Sequence, residues 1–189
     1  MRNTGIALPA ALFVLVTLGA TGQARAQPFI DIGVQASTIE SKIANRDDWV
    51  SVSDAGVHLG IGARRSVSEA ADIGFRIELD SIDSNTLLAV RAFDYRRHVA
   101  EKFSVSAFVG AARLDLATPA WGYYLGFGVQ WARLVSDWDL GLDVRIGDKL
   151  ARDNLLPSDP QGGSPDNFHD VIGVSLYLSR SFGNAREDR

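Results

Sequence analysis

Residues 138–148, WDLGLDVRIGD, alternate between apolar and polar side chains without a break. Trp138, Leu140, Leu142, Val144 and Ile146 share one parity, and Asp139, Gly141, Asp143, Arg145 and Gly147 share the other. Successive side chains of an extended strand point to opposite faces, so the segment reads as a strand with one apolar and one charged face. A helix would scatter the same charges around its circumference. The stretch leaves open which face is inward. In a soluble barrel or sandwich the apolar face is the core, whereas in a membrane barrel it meets lipid and the charges line the interior.

The pattern recurs in residues 30–37, 54–64, 71–80, 88–97, 103–112, 121–131 and 172–179, which with the opening stretch makes eight strands. In the fourth, Leu88, Val90 and Ala92 form the apolar side, with Ala89, Arg91, Phe93 and Tyr95 opposite. Each segment is about ten residues long, the length a tilted strand needs to cross hydrocarbon. The connections at one end (40–48, 81–86, 114–120 and 148–170) are longer than those at the other (65–70, 96–102 and 133–137). The difference comes mainly from the last, which contains LLPSDPQGGSPDN at 155–167.

The chain opens MRNTGIALPAALFVLVTLGATGQARA. Arg2, a short apolar run over 6–18 and the small residues around Ala24-Arg25-Ala26 read as a signal peptide cut after Ala26. The apolar run is short of the roughly 20 residues of a spanning helix. The expected organisation is signal peptide 1–26, barrel 27–183 and polar tail 184–189. Cleavage removes Arg2 and Arg25 but no acid, leaving a chain more acidic than the formal net charge of −4 of the whole. Such a chain is not built to neutralise nucleic acid. Cysteine is absent, which excludes disulfides, thiol nucleophiles and cysteine-based metal sites.

Two features point the apolar faces outward. Glycine sits on the polar parity, as at Gly60, Gly62, Gly126, Gly128, Gly141 and Gly147. On a wetted face glycine only weakens a strand, but in a narrow lumen it makes room for long charged side chains. Trp49, Trp121, Trp131, Trp138 and Phe182 lie near strand ends, where aromatic rings suit the headgroup level.

The last strand, VIGVSLYLSRSFG at 171–183, alternates and closes on Phe182. With it, the chain resembles the small eight-stranded outer-membrane β-barrels of the OmpA/OmpX type. The resemblance implies an all-β, antiparallel, up-and-down transmembrane β-barrel in the bacterial outer membrane. It also implies a monomer whose partners are membrane lipid, lipopolysaccharide and, through the strand ending at Phe182, the barrel-assembly machinery. The role it implies is structural or interactive: envelope integrity, adhesion or lipopolysaccharide contact. GNAREDR after Phe182 departs from a strictly terminal aromatic.

At mid-strand, His58, Arg76, Glu78, Arg91, Asp143 and Arg145 carry the inward parity. The seventh strand lies across the barrel from the third, so Asp143 is expected to meet Arg76 through the lumen. Eight strands leave just enough interior for side chains, and buried charges need partners, so the set reads as a structural ion network that plugs the barrel. An ion or proton path is the alternative.

Eight-stranded barrels that deacylate lipid A carry a late His-x-Ser pair on the lipid side, and residues 144–148, VRIGD, contain neither residue. His169 with Ser158, Ser164 and Asp170 is a loop grouping in a segment rich in such residues. Three scattered histidines make no ligand spacing, and Asp153, Asp159, Asp166 and Asp170 read as a solvated loop. The chain is therefore expected to lack enzymatic activity, metal and cofactor. A lipid A-modifying barrel and a soluble exported barrel for an apolar ligand remain the alternatives.

Overall fold

The computed structural model describes residues 26–42, 49–116, 118–152 and 168–182. They form strands β1 (Gln27–Lys42), β2 (Trp49–Ser68), β3 (Ala71–Ile82), β4 (Asn85–Ala100), β5 (Phe103–Leu114), β6 (Thr118–Pro119), β7 (Gly122–Val135), β8 (Trp138–Arg152) and β9 (Phe168–Ser181). Each long strand pairs antiparallel with the next, β5 with β7 directly, and β9 pairs with both β8 and β1. The sheet closes on itself as an eight-stranded up-and-down barrel, with the two-residue β6 laid against β8. Closure removes the edges through which an open sheet would aggregate. The segments expected as signal peptide and tail lie outside the described residues, apart from Ala26.

An even strand number brings the start of β1 and the end of β9 to the same rim, where Phe182 N donates to Pro28 O at 2.7 Å. Two-residue turns at 69–70, 101–102 and 136–137 complete that rim. The connection expected as a longer loop at 81–86 is also a two-residue turn. Asp83 and Ser84 take φ of 46° and 62°, the left-handed pair that a tight hairpin of primed type requires. The contrast between the two ends therefore rests on the remaining connections.

Outward positions are apolar around the whole circumference: Val34, Ile61, Leu79, Phe93, Val109, Phe127, Val144 and Val174, one from each long strand, are exposed. Arg76, Arg91, Arg145, Glu78 and Asp143 are at most 1 % exposed. This inverts a soluble barrel. An apolar band of this kind requires lipid, because water-soluble proteins keep such patches small.

Strand β4 departs from the expected alternation. Its register shifts against both β3 and β5 around Ala92, a bulge that adds one residue to β4 and flips parity beyond it. Phe93, expected inside, turns to lipid at 49 % exposure, and Asp94 goes inside at 0 %.

Several inward glycines are overlain by a side chain from an adjacent strand. A Cβ on Gly126 would lie 2.5 Å from Phe108 Cζ, one on Gly141 2.3 Å from Tyr177 Cζ, and one on Gly128 2.0 Å from an Asp143 oxygen. The rings and the carboxylate occupy the space that glycine leaves.

Val144 is near the middle of β8, on the outer face. Val144→Arg is expected to cost about 2–4 kcal/mol in urea unfolding from lipid vesicles. A loss within experimental error would show that this face is not in hydrocarbon.

Candidate functional site

The site is built from the inner faces of seven strands. β1 carries Asp31 and Gln35, β2 His58, and β3 Arg76, Glu78 and Asp80. β4 supplies Arg91 and Asp94, β7 Tyr124, β8 Asp143 and Arg145, and β9 Tyr177. All are at most 3 % exposed. The six side chains identified from inward parity come together here.

Arg91 Nη2 lies 2.5 Å from Glu78 Oε1 and donates to Asp143 Oδ2 at 2.6 Å. Arg76 Nη1 reaches Asp31 at 3.2 Å, Glu78 at 3.5 Å and, across the lumen, Asp143 at 3.4 Å, while its Nη2 reaches Asp94 at 3.4 Å. Arg145 Nη1 donates to Asp80 Oδ2 at 2.6 Å, and the other Asp80 oxygen meets His58 Nδ1 at 2.6 Å. Tyr124 donates its hydroxyl proton to Glu78 at 2.8 Å, and Tyr177 donates to Asp143 at 3.1 Å. Arg91 also stacks over Phe108, 3.4 Å from the ring centroid.

Each isolated buried ion would cost several kcal/mol, so such charges persist only where attraction and hydrogen bonds offset desolvation. Sharing achieves that here. Glu78 and Asp143 each serve Arg91 and Arg76, Asp94 serves Arg76 and Arg64, and Asp80 serves Arg145 and His58. The charges form one interlocked layer across the barrel.

Beyond it, towards the longer connections, is an apolar layer. Ile82, Leu87, Leu114 and Leu150 are 0 % exposed, Val171 1 % and Ile39 6 %. Leu150 reaches the interior because β8 carries extra residues between Gly147 and Ala151 relative to β9. The two layers occupy the lumen in series. Only the charged one was expected from sequence.

Sequence reasoning missed Asp31, Asp80, Asp94, Gln35, Tyr124 and Tyr177 as members of the layer. Asp31 and Asp80 have inward parity, but barrel strands tilt and stagger, so residues at one depth do not sit at matching distances from strand ends. The pairing of His58 with Asp80 shows the offset. The bulge hid Asp94.

The boundary aromatics are placed as follows. Trp121 and Trp131 are about half exposed and Phe182 is 44 % exposed. Trp131 packs edge-on to Phe103 at 5.1 Å. Trp138 lies under Arg180, whose Cζ is 5.7 Å from the ring, and Arg180 pairs with Asp137 at 3.6 Å. The Trp49 side chain lies outside the described residues, as do Asp153, Ser158, Asp159, Ser164 and Asp166.

His98, expected in a turn, belongs to β4. Its Nε2 is 2.9 Å from Asp72 and its Nδ1 2.9 Å from Ser104 Oγ. His169 pairs with Ser41 at 2.5 Å, and Asp170 accepts from the Lys149 backbone N–H at 2.8 Å.

No protein-family model and no curated protein sequence matches the chain. Solved structures do. The attachment invasion locus protein Ail of Yersinia pestis, in complex with the heparin analogue sucrose octasulfate, aligns at 14 % identity over 84 % of this chain and 99 % of its own, with a TM-score of 0.50. The outer membrane protein OprG of Pseudomonas aeruginosa aligns at 11 % identity over 86 % and 99 %, with a TM-score of 0.48. At such identities the likeness concerns fold alone, and the fold is that of the small eight-stranded outer-membrane barrels.

Removing Asp143 takes away one of the two carboxylates that Arg91 and Arg76 share and leaves Glu78 alone to serve both. Asp143→Ala is expected to destabilise the folded barrel by about 3–5 kcal/mol, read from urea unfolding in vesicles. Unchanged stability would mean that the layer is not an interlocked network.

Proposed function

We propose that this chain is a non-enzymatic, monomeric outer-membrane β-barrel protein, its lumen closed by a structural plug, that acts at the cell surface through its outer end. The observation that carries the reading is the filled interior. A charged layer and an apolar layer stand in series, with side chains at 0 % exposure in both. A barrel blocked by two filled layers offers solute no way through and works through its surfaces.

The outer end offers cations. Lys149 and Arg152 flank Phe168, with Lys149 Nζ 5.6 Å and Arg152 Cζ 5.4 Å from its ring. Both cationic side chains are exposed at the rim. Such a cluster suits phosphate or sulfate groups, and hence lipopolysaccharide at the level of the outer leaflet. The structural neighbour that holds a sulfated sugar is in keeping with anionic glycans as partners. Within this reading, Phe182 is the element offered to the barrel-assembly machinery.

The non-enzymatic reading has local support. Asp72, His98 and Ser104 follow the acid–imidazole–hydroxyl order of a hydrolase. Ser104, however, sits inside β5, paired on one side with His98 and on the other with Gln130. Acyl transfer needs free N–H donors beside the nucleophile, and a ladder position of this kind uses its own.

The double substitution Lys149→Glu and Arg152→Glu is expected to weaken binding to lipopolysaccharide-containing vesicles about tenfold, with heat-modifiable gel mobility retained. Liposomes carrying the wild-type protein are expected to show no sugar-driven swelling, and cells expressing it no change in lipid A acyl number by mass spectrometry. Swelling or a lost acyl chain would sink the plugged, non-enzymatic reading.

A further inference from the structure

Closure removes strand edges only over the depth at which all the long strands pair. At the outer end β1, β2, β8 and β9 run on beyond it. β2 pairs with β1 continuously from Trp49 to Arg64, but with β3 only from His58 onward. β8 pairs with β7 only as far as Asp148, yet continues along β9 to Arg152. The extension is therefore a sheet in the order β8, β9, β1, β2, with two edges of its own.

The two edges are treated differently. On the β8 side, Thr118 and Pro119 of β6 pair with Arg152 and Ala151. A proline suits such an edge, because it offers no N–H to a further strand. On the β2 side nothing comparable is present among the described residues: residues 50–55 pair with β1 alone. The turn after β3 stops short of them. There Asp54 accepts from the Asp83 N–H at 2.6 Å, and a Cβ on Gly56 would lie 2.0 Å from Ser81 O.

In an antiparallel strand every second residue turns its N–H and C=O away from a given neighbour. Along 50–55 a row of backbone groups thus faces away from β1 with no strand to receive it. The open run is about 20 Å long, the length of an ordinary strand. Its sequence, VSVSDA, holds neither lysine nor proline, and its register with β1 is free of bulges. Lysine, proline and bulges are the devices that ordinarily close an edge to other chains.

The side chains define what fits. Val50 and Val52 are 45 % and 43 % exposed, on the parity that faces the lumen lower down, and Ser51 and Ser53 are exposed on the other. β1 shows the matching partner. Ile39 lies opposite Val52, and Thr38 lies opposite Ser53 with their hydroxyls 2.8 Å apart. Matched apolar and hydroxyl pairs across strands stabilise a sheet.

We infer that residues 50–55 of β2 receive an extended segment of another protein as an added antiparallel strand, one that alternates β-branched apolar residues with hydroxyl residues. Backbone hydrogen bonds supply the attachment, and the alternation supplies the selection. This goes beyond the proposed contact with anionic glycans. That contact is made by Lys149 and Arg152, on the β8 side of the extension, so either can fail without the other.

The test uses the full chain in detergent micelles and the synthetic peptide KTITVTK, whose end lysines keep it soluble. A control peptide carries methyl groups on its interior backbone nitrogens, which removes the donors but keeps charge and side chains. Amide hydrogen exchange is read by mass spectrometry. The first peptide is expected to slow exchange over 50–55 at least about tenfold, and the methylated one to leave it unchanged. Val52→Lys, which places a charge on the edge, is expected to reduce that protection about tenfold. Heat-modifiable gel mobility checks that the variant folds, and the methylated peptide decides the matter if it does not. Absence of protection, equal protection by both peptides, or undiminished protection in folded Val52→Lys would overturn the inference. So would protection of 50–55 without peptide that rises with protein concentration, which would assign the edge to a second copy.

Discussion

Three arginines, 76, 91 and 145, are enclosed where water does not reach them, and each must be answered by carboxylates fixed on other strands. That requirement governs the interior of the barrel. Asp143 reaches Arg76 and Arg91 from the far wall, and Asp80 ties Arg145 to His58. A closed barrel in lipid cannot offset its lumen with a hydrophobic core in the usual sense, because its apolar surface is already spent on the membrane. The charge layer supplies cross-barrel contact instead. An apolar layer supplements it at the outer end.

The outer face and the lumen are coupled through glycine. Each ring or carboxylate lying over an inward glycine takes space that a methyl group would fill, as Phe108 does at Gly126 and Tyr177 at Gly141. Strand alternation sends apolar residues to lipid, and the glycines on the opposite parity let long side chains from neighbouring strands cross the interior. At the rim of the short turns the interior instead opens on a cavity lined by Arg96, His98 and Gln130 among others.

Strand number, direction and the sense of the two faces were legible in the sequence, because a two-residue period is a local property and does not require knowing which strand lies beside which. Six members of the charge layer were legible for the same reason. Asp31 and Asp80 were not, since tilt and stagger displace equal depths along successive strands. Asp94 was not, since one bulged residue in β4 reverses parity without a mark in the alternation. The tight turn at Asp83–Ser84 falls in a stretch expected to be a longer loop, because of its two residues only Asp83 is of a type that favours the left-handed backbone both adopt.

The sequence by itself determined a closed, lipid-facing, eight-stranded barrel with charges inside, because alternation, glycine placement and strand length each follow from local chemistry. Only the tertiary structure decided which carboxylate meets which arginine and that an apolar layer completes the plug. Those outcomes depend on register, stagger and bulges around a closed sheet. They are set by the geometry of closure over the whole chain, which no single segment records.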